Sequence, residues 1–291
     1  MTPAAKKGRQ RIRLTFRMRI LHSLPHNRFG DLLFGALLFR RWHGRWPRWR
    51  GGTINDVLFR LKNSAEILRP LRVYVSDKEQ LKRHVRARLG EAFNVPTLAI
   101  LRSPAEAEAF DFPARCVIKP THMSGAIILR MAGEPVDREL IASWFSENFY
   151  NYSRERNYRR LTPKVIVEPF VFDQNWPDAF RVFCCDGRAR LLHANIDRPG
   201  SLTRSFFDSD WTSLPIFSID RKAGDFPCPA NLALMLHVAE TLARDFNFIR
   251  VDLYSDGQAV KVGELTNCPF SAMFPFASRE SEELATKVLF G

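Results

Sequence analysis

Two carboxylates on neighbouring segments of the C-terminal region have the chemistry to bind a divalent cation. Residues 249–266 contain two apolar runs with strand-like alternation around Asp256-Gly257, which is the pattern of a β-hairpin. The first arm carries Asp252 and the second carries Glu264. Because an isolated acid within a sheet is costly, each needs a positive partner. Arg250 could be that partner, and so could a divalent cation.

The length of the turn decides whether the two acids meet. A two-residue turn at Asp256-Gly257 puts them on opposite faces of the hairpin. A three-residue loop that adds Gln258 pairs Asp252 with Val262, and Glu264 then shares a face with Asp252 as its diagonal neighbour. We expect the longer loop, because it brings both acids close enough to hold one Mg²⁺. Taken alone, the hairpin is more typical of a structural ion pair.

A second group of residues has the chemistry to bind phosphate. Residues 116–130 predict a strand, a loop of small residues and a second strand. Lys119 ends the first strand, and Thr121, Ser124 and Gly125 follow in the loop. Backbone N–H groups of such a loop can bind a phosphate, with the lysine as a point charge. The alternative is an ordinary hairpin whose lysine reaches solvent.

Composition indicates a folded protein with its positive charge at one end. A hydrophobic content of 45% excludes a disordered chain. Of the net charge of +13, residues 1–90 contribute 22 Lys/Arg against 5 Asp/Glu, whereas residues 91–291 are slightly acidic. The 5 cysteines are odd in number and lack CxxC spacing, so we expect a reducing, cytoplasmic compartment and no structural zinc.

The basic residues belong to an N-terminal extension, 1–52. No secretory signal is recognisable in it, and the apolar run 31–39 is far shorter than the ~20 residues that span a bilayer. Trp42, Trp46 and Trp49 alternate with arginines, which suits an anionic membrane surface. The alternative is a helix that its tryptophans anchor to the main body. Binding to nucleic acid is disfavoured, because no recognition fold accompanies the basic arm.

Regular elements must position these groups. A capped helix is predicted to begin at residues 76–79 and to stop at Gly90, after a short strand at residues 71–75. An apolar strand, 164–171, contains Glu168, and residues 180–194 predict another hairpin. A core helix at residues 231–246 leads into the hairpin with the two acids.

The order of these pieces resembles the TupA-like ATP-grasp family, which is associated with bacterial cell-surface polysaccharide clusters. The similarity covers roughly residues 53–291 and implies an α+β, ATP-grasp fold, in which two α+β subdomains grip ATP between them. The predicted parts are the helical extension 1–52, an N-terminal part with the lid subdomain at 53–164, and a C-terminal subdomain at 165–291. The pieces that carry the resemblance are Asp77-Lys78, Ile118-Lys119-Pro120, Val167-Glu168-Pro169-Phe170-Val171, Arg250-Val251-Asp252-Leu253-Tyr254 and Gly263-Glu264-Leu265-Thr266.

The resemblance implies a role for each matching residue. The nucleotide site would consist of two phosphate-binding lysines, the loop that closes over the phosphates, a carboxylate for the adenine amino group and the backbone along the adenine edge: Lys78, Lys119, His122, Ser124, Gly125, Glu168, Pro169, Phe170 and Val171. Mg²⁺ would be held by Asp252 and Glu264, with a further oxygen from Thr266 or Asn267. With the lysines upstream in order, a metal site becomes the favoured interpretation of the hairpin.

Two arginines are the candidate catalytic cations. Arg250 precedes Asp252, and Arg181 stands where the family usually carries the lysine of an Asp-Tyr-Lys run, so it could keep that positive charge. A ligase needs such a cation to neutralise a developing oxyanion. The loop 267–273 contains less glycine than is usual for the family, and that loop bears on the acceptor site.

The resemblance implies an ATP- and Mg²⁺-dependent carboxylate–amine ligase that forms a C–N bond through an acyl phosphate, in the biosynthesis or modification of a cell-surface polysaccharide. Its partners would be small-molecule or glycan-linked carboxylates and amines, and an anionic membrane surface through residues 1–52. It would be cytoplasmic, at the inner face of the cell membrane. The alternatives are a sugar kinase or glycosyltransferase of the same pathway and a catalytically weakened, membrane-associated scaffold.

Overall fold

Two antiparallel sheets make up the strand content of the computed structural model, which describes residues 21–198 and 201–291. One sheet has four strands in the order β1-β4-β2-β3 and the other has six in the order β10-β9-β5-β6-β7-β8. Together with the helices around them, they confirm the predicted α+β class. The strands are β1 (Ala99–Leu101), β2 (Cys116–Pro120), β3 (Ile128–Arg130), β4 (Val165–Glu168), β5 (Asp178–Cys185), β6 (Arg188–Arg198), β7 (Ser201–Phe207), β8 (Ser213–Leu214), β9 (Phe248–Ser255) and β10 (Val260–Thr266).

The helices begin and end largely where the sequence predicts. The helix after Ser76 is capped by Asp77, whose carboxylate accepts from Glu79 N at 2.9 Å and Gln80 N at 3.1 Å, and it stops before Gly90. Residues 71–75 are a correction, because they form a helix that begins at Pro70 rather than a strand. The helices are α1 (Arg28–His43), α2 (Ile54–Asn63), α3 (Pro70–Ser76), α4 (Lys78–Leu89), α5 (Pro104–Ala109), α6 (Arg138–Trp144), α7 (Tyr150–Ser153), α8 (Leu232–Ala243) and α9 (Arg279–Phe290).

The two faces of the six-stranded sheet are covered differently. On one face, Ile249, Val251 and Leu253 of β9 join a core with α4 and α8. On the other, Phe183 and Phe248 pack with residues of α1, α2 and α9 at one end of the sheet. Because side chains alternate along a strand, Arg250, Asp252 and Tyr254 share this second face. The fold therefore leaves polar side chains on the sheet beside an aromatic core.

The hairpin between β9 and β10 follows neither of the predicted registers. Four residues, 256–259, connect Ser255 to Val260, and Val262 pairs with Leu253. A β-bulge between Val262 and Glu264 then puts Glu264 directly opposite Asp252. Cross-strand partners project from the same face of a sheet. The two acids thus share a face, as the longer predicted loop required, but because of a bulge and not because of that loop.

The strand β4 belongs to the four-stranded sheet, where it lies between β1 and β2. Val167 pairs with Ala99 of β1 and with Ile118 of β2. The predicted division of the chain between residues 164 and 165 stays a prediction. The last strand of the four-stranded sheet in chain order, β4, ends at Glu168.

The N-terminal extension is described from residue 21 onward, and the part of this prediction that falls on residues 1–20 lies outside the described residues. Helix α1 is capped by Asn27 and packs through Phe34 and Phe39, which are 0% and 1% exposed. Trp42 in α1 and Trp46 and Trp49 beyond its end are 54%, 49% and 61% exposed, and Trp49 contacts the buried ring of Phe59 at a centroid distance of 5.7 Å. Over the described ranges, the structure contains no helix with the length and apolarity to cross a membrane.

A cluster of buried charges ties α4 to the small sheet. Lys164 Nζ lies 2.6 Å from Glu79 Oε2 and 3.1 Å from Asp77 Oδ2, and Arg102 donates to Glu79 Oε1 at 2.9 Å. Burial by itself would raise the pKa of Glu79, but the hydrogen bonds and charges of Arg102 and Lys164 lower it from 4.5 to about 2. This carboxylate is therefore ionised at any pH at which the protein would be handled.

The stability of the protein is expected to fall as the pH drops from about 4.5 towards 2, and Glu79→Gln should weaken that dependence. Because the folded pKa lies below the unfolded one, the contribution of Glu79 is complete above pH 4.5 and is lost as pH falls through about 2. The difference corresponds to about 3 kcal/mol. Urea unfolding at pH 7, 4 and 3 measures it, with the exposed Glu283→Gln as the control. Equal pH dependence in wild type and Glu79→Gln would refute the prediction.

Candidate active site

Lysines from α4 and β2 meet the carboxylate of Glu168 in the space between the two sheets. Lys119 Nζ lies 2.7 Å from Glu168 Oε2 and Lys82 Nζ lies 2.6 Å from Glu168 Oε1. Burial by itself would lower the pKa of Lys119, but Glu168, Tyr254 and Glu264 raise it above its ordinary value. Lys82 was not among the predicted lysines, although it follows Lys78 by one helical turn and so lies on the same side of α4.

Lys78 already contacts the predicted phosphate loop. Its Nζ donates to the carbonyl oxygen of Met123 at 2.6 Å, and its backbone N–H donates to that of Thr121 at 3.1 Å. Burial lowers the pKa of Lys78, whereas the Glu264 carboxylate raises it. The structure thus places both predicted lysines within the electrostatic reach of the hairpin acid.

The loop 122–125 contributes its residues unequally. The His122 ring is buried, and its Nε2 lies 3.0 Å from the carbonyl oxygen of Trp144 at the end of α6. Burial lowers the pKa of His122, and the nucleotide role of this residue stays a prediction. Gly125 has a φ of 80°, which glycine adopts without strain, and Ser124 lines a cavity described below.

The predicted adenine contacts stay a prediction. Strand β4 ends at Glu168, and after Pro169 and the buried Phe170 the chain makes a 3₁₀ turn at Val171–Asp173. Both oxygens of Glu168 are held by lysines, so an adenine amino group would have to share this carboxylate with them.

A guanidinium occupies the place expected for the metal. Arg250 donates to both oxygens of Asp252, at 2.6 and 2.7 Å, and to Thr266 Oγ1 at 3.0 Å. Arg181 Nε lies 3.5 Å from Asp252 Oδ2. The Glu264 carboxylate, directly opposite Asp252, makes no hydrogen bond or close ion pair with any residue that the structure describes, and its favourable electrostatic interactions are with Lys78, Lys119 and Arg250. One acid is thus held by a stand-in cation, and the other is available to a ligand.

Asn267 is a correction to the predicted metal ligands. It is buried, its Oδ1 accepts from Arg72 Nη1 at 2.8 Å, and its amide nitrogen donates to Ser76 Oγ and to the Arg72 carbonyl oxygen at 3.2 Å each. Its amide therefore fastens β10 to α3, and Thr266 is the remaining candidate. No group of three or more His, Cys, Asp or Glu that could hold a metal occurs in the described part of the chain.

The donor set still fits Mg²⁺. This ion is usually held by one or two carboxylates, and phosphate oxygens and waters supply the rest of its octahedron. Asp252 and Glu264 would provide the carboxylates and Thr266 a hydroxyl, and the positively charged Arg250 side chain already bonds to both Asp252 and Thr266.

A cavity of about 280 Å³ opens beside these residues. Across the sheet, Glu264 of β10, Asp252 of β9, Arg181 of β5 and His193 of β6 are successive pairing partners. They form one row on the same face, which we call the polar row. Arg181, Arg250 and His193 line the cavity together with Arg204 and Arg221. The predicted catalytic arginines thus lie together at the cavity, beside the acids.

His193 has a fixed protonation state at the cavity wall. Its Nδ1 lies 3.1 Å from Asn195 Oδ1, which also accepts from Arg204 Nε at 3.0 Å. Because an amide oxygen only accepts, Nδ1 carries the proton and the buried Nε2, which has no partner among the described residues, is an acceptor. Burial and then Arg204, Arg181 and Arg250 lower the pKa of His193 well below 6.5. No sequence pattern singled out His193 as a site residue, apart from its position in a predicted hairpin strand.

The glycine-poor loop after β10 has a backbone that glycine would favour. Phe270, Ser271 and Ala272 have φ values of 52°, 55° and 70°, and left-handed conformations of this kind cost about 1–3 kcal/mol each for non-glycine residues. The Ser271 hydroxyl donates to Glu155, a buried carboxylate at the cavity wall. Burial raises the pKa of Glu155, and Lys62 opposes that effect. The strained loop therefore helps to position an acid beside the arginines.

Comparison with known proteins gives one family and a set of distant structures. The sequence model of the family described as TupA-like ATPgrasp matches residues 58–288. D-alanine–D-alanine ligase from Helicobacter pylori is 16% identical with a TM-score of 0.40, over 75% of this chain and 62% of that one. The same enzyme from Bacillus anthracis is 15% identical with a TM-score of 0.42, over 75% and 64%.

An L-amino acid ligase from Bacillus licheniformis is 13% identical with a TM-score of 0.44, over 83% of this chain and 55% of that one. The chain therefore spans less than two thirds of the length of each of these three proteins. Among curated proteins, none matches the chain.

Proposed function

Because the chain belongs to the TupA-like ATP-grasp family over residues 58–288, we propose that it is an ATP- and Mg²⁺-dependent ligase that joins a carboxylate to an amine. The family assignment confirms the predicted ATP-grasp fold and its cofactors, ATP and Mg²⁺. The observation that carries the proposal is the polar row, in which Glu264 and Asp252 face each other with Arg181 beside them.

The lysines supply the charge that a nucleotide requires. Lys78 lies on the helix α4 and Lys119 on the strand β2, and Glu264 interacts electrostatically with both. A triphosphate between the sheets would meet these ammonium groups on one side and the hairpin on the other. Their burial strengthens the attraction, because water screens charges less in such a cleft.

Asp252 and Glu264, with the Thr266 hydroxyl, would hold Mg²⁺. When bound, the metal supplies Lewis-acid neutralisation of phosphate charge. Asp252 would then exchange its bond to Arg250 for the metal. Arg250 and Arg181, both at the cavity wall, can bind a substrate carboxylate and stabilise the negative charge that develops on its oxygen.

The proposed chemistry has two steps. The substrate carboxylate attacks the γ-phosphorus of ATP, a carboxyl O–P bond forms, and ADP leaves with the electron pair. The amine then attacks the acyl carbon, the C–N bond forms, and phosphate leaves with the electrons of the C–O bond. Glu155 at the cavity wall can take one proton from the ammonium form of the amine, and the departing phosphate takes the other.

The test of the proposed function is nucleotide binding followed by product analysis. Mg-ATP should raise the Tm of the full chain by several degrees, as expected for a ligand at a hundred times its Kd. Mixtures of carboxylates and amines that are turned over should release ADP and phosphate together. ADP with a phosphorylated sugar would indicate a kinase instead, and absence of any Mg-ATP effect on Tm would overturn the proposal.

We further propose that the ligase acts on cell-surface polysaccharide precursors at the inner face of the membrane. What supports the membrane contact is the exposure of Trp42, Trp46 and Trp49 beside arginines at the end of α1. Indole rings at headgroup level and guanidinium groups on anionic lipid are the chemistry of a peripheral contact.

The protein is expected to cosediment with phosphatidylglycerol vesicles and much less with phosphatidylcholine vesicles. Replacing all three tryptophans with alanine should reduce the bound fraction about tenfold, because each indole contributes apolar burial at the interface. Substitutions are preferable to removal of residues 1–52, because Phe34 and Phe39 of α1 belong to the core. Phe217→Ala, at another exposed aromatic side chain, is the control. Equal sedimentation of the triple variant and wild type would exclude this surface.

A further inference from the structure

We propose that the cavity beside the polar row binds an acid with two anionic groups, one at each end, and an N–H or O–H donor between them. The reacting carboxylate would lie at Arg181 and Arg250, and the second anionic group, a carboxylate or a phosphate, at Arg204. This inference rests on the proposed function in one respect, which is the identification of the end of the ligand that reacts. The binding of a dianion is a separate property of the cavity.

The described lining of the cavity has four arginines against one carboxylate, Glu155, and two of these arginines lie at the end near the hairpin. Arg181 and Arg250 share a single carboxylate, Asp252. The Arg181 side chain is largely buried, and its Nη1 has no hydrogen-bond partner among the described residues. A buried guanidinium nitrogen without an acceptor is costly. An anionic ligand at this end would supply the missing acceptor.

The far end is built around Arg204 of β7, whose side chain is only 2% exposed. Its Nε and Nη1 are held by Asn195, Ser218 and Asp220, and its guanidinium lies 5.8 Å from the ring of Phe270. These contacts hold the guanidinium in one orientation at the cavity that it lines, and they leave Nη2 for a ligand.

This end has two arginines and one carboxylate, since Arg204 Nη1 lies 2.8 Å and Arg221 Nε 4.0 Å from the carboxylate of Asp220. Burial, together with the charges of Arg221 and Arg181, lowers the pKa of Arg204 to about 10, in spite of the ion pair with Asp220. A second anionic group would offset this repulsion between buried cations.

The middle of the cavity contains an acceptor. His193 Nε2 is buried at the wall between the strands of Arg181 and Arg204, and the hydrogen bond of Nδ1 to Asn195 leaves Nε2 without a proton. A ligand group there must donate a hydrogen bond, because the neutral imidazole offers only a lone pair. An amino or hydroxyl group between the two anionic ends satisfies this requirement.

The two ends lie on strands of fixed spacing. Arg250 is on β9 and Arg204 on β7, with β5 and β6 between them. At about 4.8 Å per strand, the two backbones are about 14 Å apart, and long arginine side chains from both sides leave room for a short aliphatic acid. The sheet order thus sets the separation of the two anionic groups.

The experiment measures binding of simple probes to the full chain by calorimetry at constant ionic strength, with and without saturating Mg-ADP. Dicarboxylates from malonate to adipate are compared with monocarboxylates of equal chain length, and 3-phosphonopropionate serves as the phosphate arm. At least one dicarboxylate or the phosphonate should bind about tenfold more tightly than its monocarboxylate counterpart. Preference for the phosphonate would identify phosphate as the second group. If no dianion binds more tightly than its monoanion, the proposal is overturned.

Two variants assign the ends. Arg204→Gln should abolish the advantage of the dianion, whereas Arg181→Gln should weaken both kinds of probe and keep the advantage. Arg188→Gln, on the exposed end of β6, is the control for lost charge. A dianion advantage that survives Arg204→Gln would overturn the assignment. If Arg204→Gln does not fold, Arg204→Lys tests the same point, because an ammonium cannot replace a fork. If Mg-ADP does not change the affinity of any probe but the dianion still binds more tightly than the monoanion, the result would count against the ligase and not against this site.

Discussion

Replacing Glu264 with glutamine is expected to lower ATP-dependent turnover about a thousandfold, which corresponds to about 4 kcal/mol of transition-state stabilisation. Glu264 pairs with Asp252 across the hairpin, and it is the acid of this pair that no arginine holds. Glutamine preserves the shape and removes one negative charge, so Mg²⁺ loses a carboxylate ligand. ADP formation as a function of Mg²⁺ concentration measures the loss of turnover, and Mn²⁺ titration followed by paramagnetic resonance measures the loss of binding.

The stability of Glu264→Gln separates a metal role from a structural one. The Glu264 carboxylate makes no hydrogen bond or close ion pair within the described residues, so the Tm should fall less than for loss of the Asp252 charge, although Lys78 and Lys119 lose an electrostatic partner. Asp252→Asn should lower the Tm, because Arg250 and Arg181 both lose their carboxylate. Glu283→Gln, at an exposed ion pair of α9, is the matched control and should leave turnover unchanged. Turnover of Glu264→Gln within threefold of wild type would rule out the metal role.

Replacing Arg154 with methionine is expected to lower the free energy of unfolding by about 3–5 kcal/mol. The Arg154 side chain is completely buried, and it donates to Asp31 at 3.1 Å and to the carbonyl oxygens of Pro25 at 3.1 Å and Leu24 at 2.8 Å. Its guanidinium also lies 5.2 Å from the ring of Phe34. Methionine fills a similar volume but leaves the buried Asp31 carboxylate with the Tyr150 hydroxyl as its only side-chain hydrogen-bond donor within the described residues, so urea unfolding should show the loss.

Two comparisons test the cause of this loss. Arg159→Met removes an exposed arginine that lies over the same Tyr150 ring, and it should cost less than about 1 kcal/mol. Asp31→Asn combined with Arg154→Met should be less destabilising than the sum of the single changes, because the uncompensated charge is then absent. Additive effects in that cycle would show that the Arg154–Asp31 pair is not what fastens α1.

Sequence reasoning predicted much of the fold because alternation and capping are local. The strand with Asp252 could be recognised from the apolar residues on either side of it. The start of α4 could be recognised from Asp77 and its end from Gly90. The register of the hairpin could not, because a bulge and a four-residue loop are not visible in the alternation of short apolar runs. The segment 71–75 was misjudged, because its apolar residues suit a short helix on the core as well as a strand.

The candidate site shows the same division. Family resemblance named Lys78, Lys119 and the hairpin acids, which the structure brings to the space between the sheets. The residues alone offered Arg250 as a partner of the hairpin acids, and Arg250 does hold Asp252, whereas the family resemblance assigned Asp252 to the metal and Arg250 to catalysis. Asn267 was assigned to the metal because of its position in the chain, but Arg72 and Ser76 bind it, and their helix lies almost two hundred residues earlier.

In most strands a substitution is tolerated better than a deletion, but the bulge at Gly263 should reverse this order. A side chain there would bring its Cβ within 2.8 Å of the Tyr254 ring, so substitution has to displace a neighbour. Loss of the residue is different. Gly263 has no partner of its own, and without it Glu264 could still face Asp252 and Leu265 could still face Val251. At this position, we therefore expect deletion of the residue to be tolerated better than its substitution by a residue with a bulky side chain.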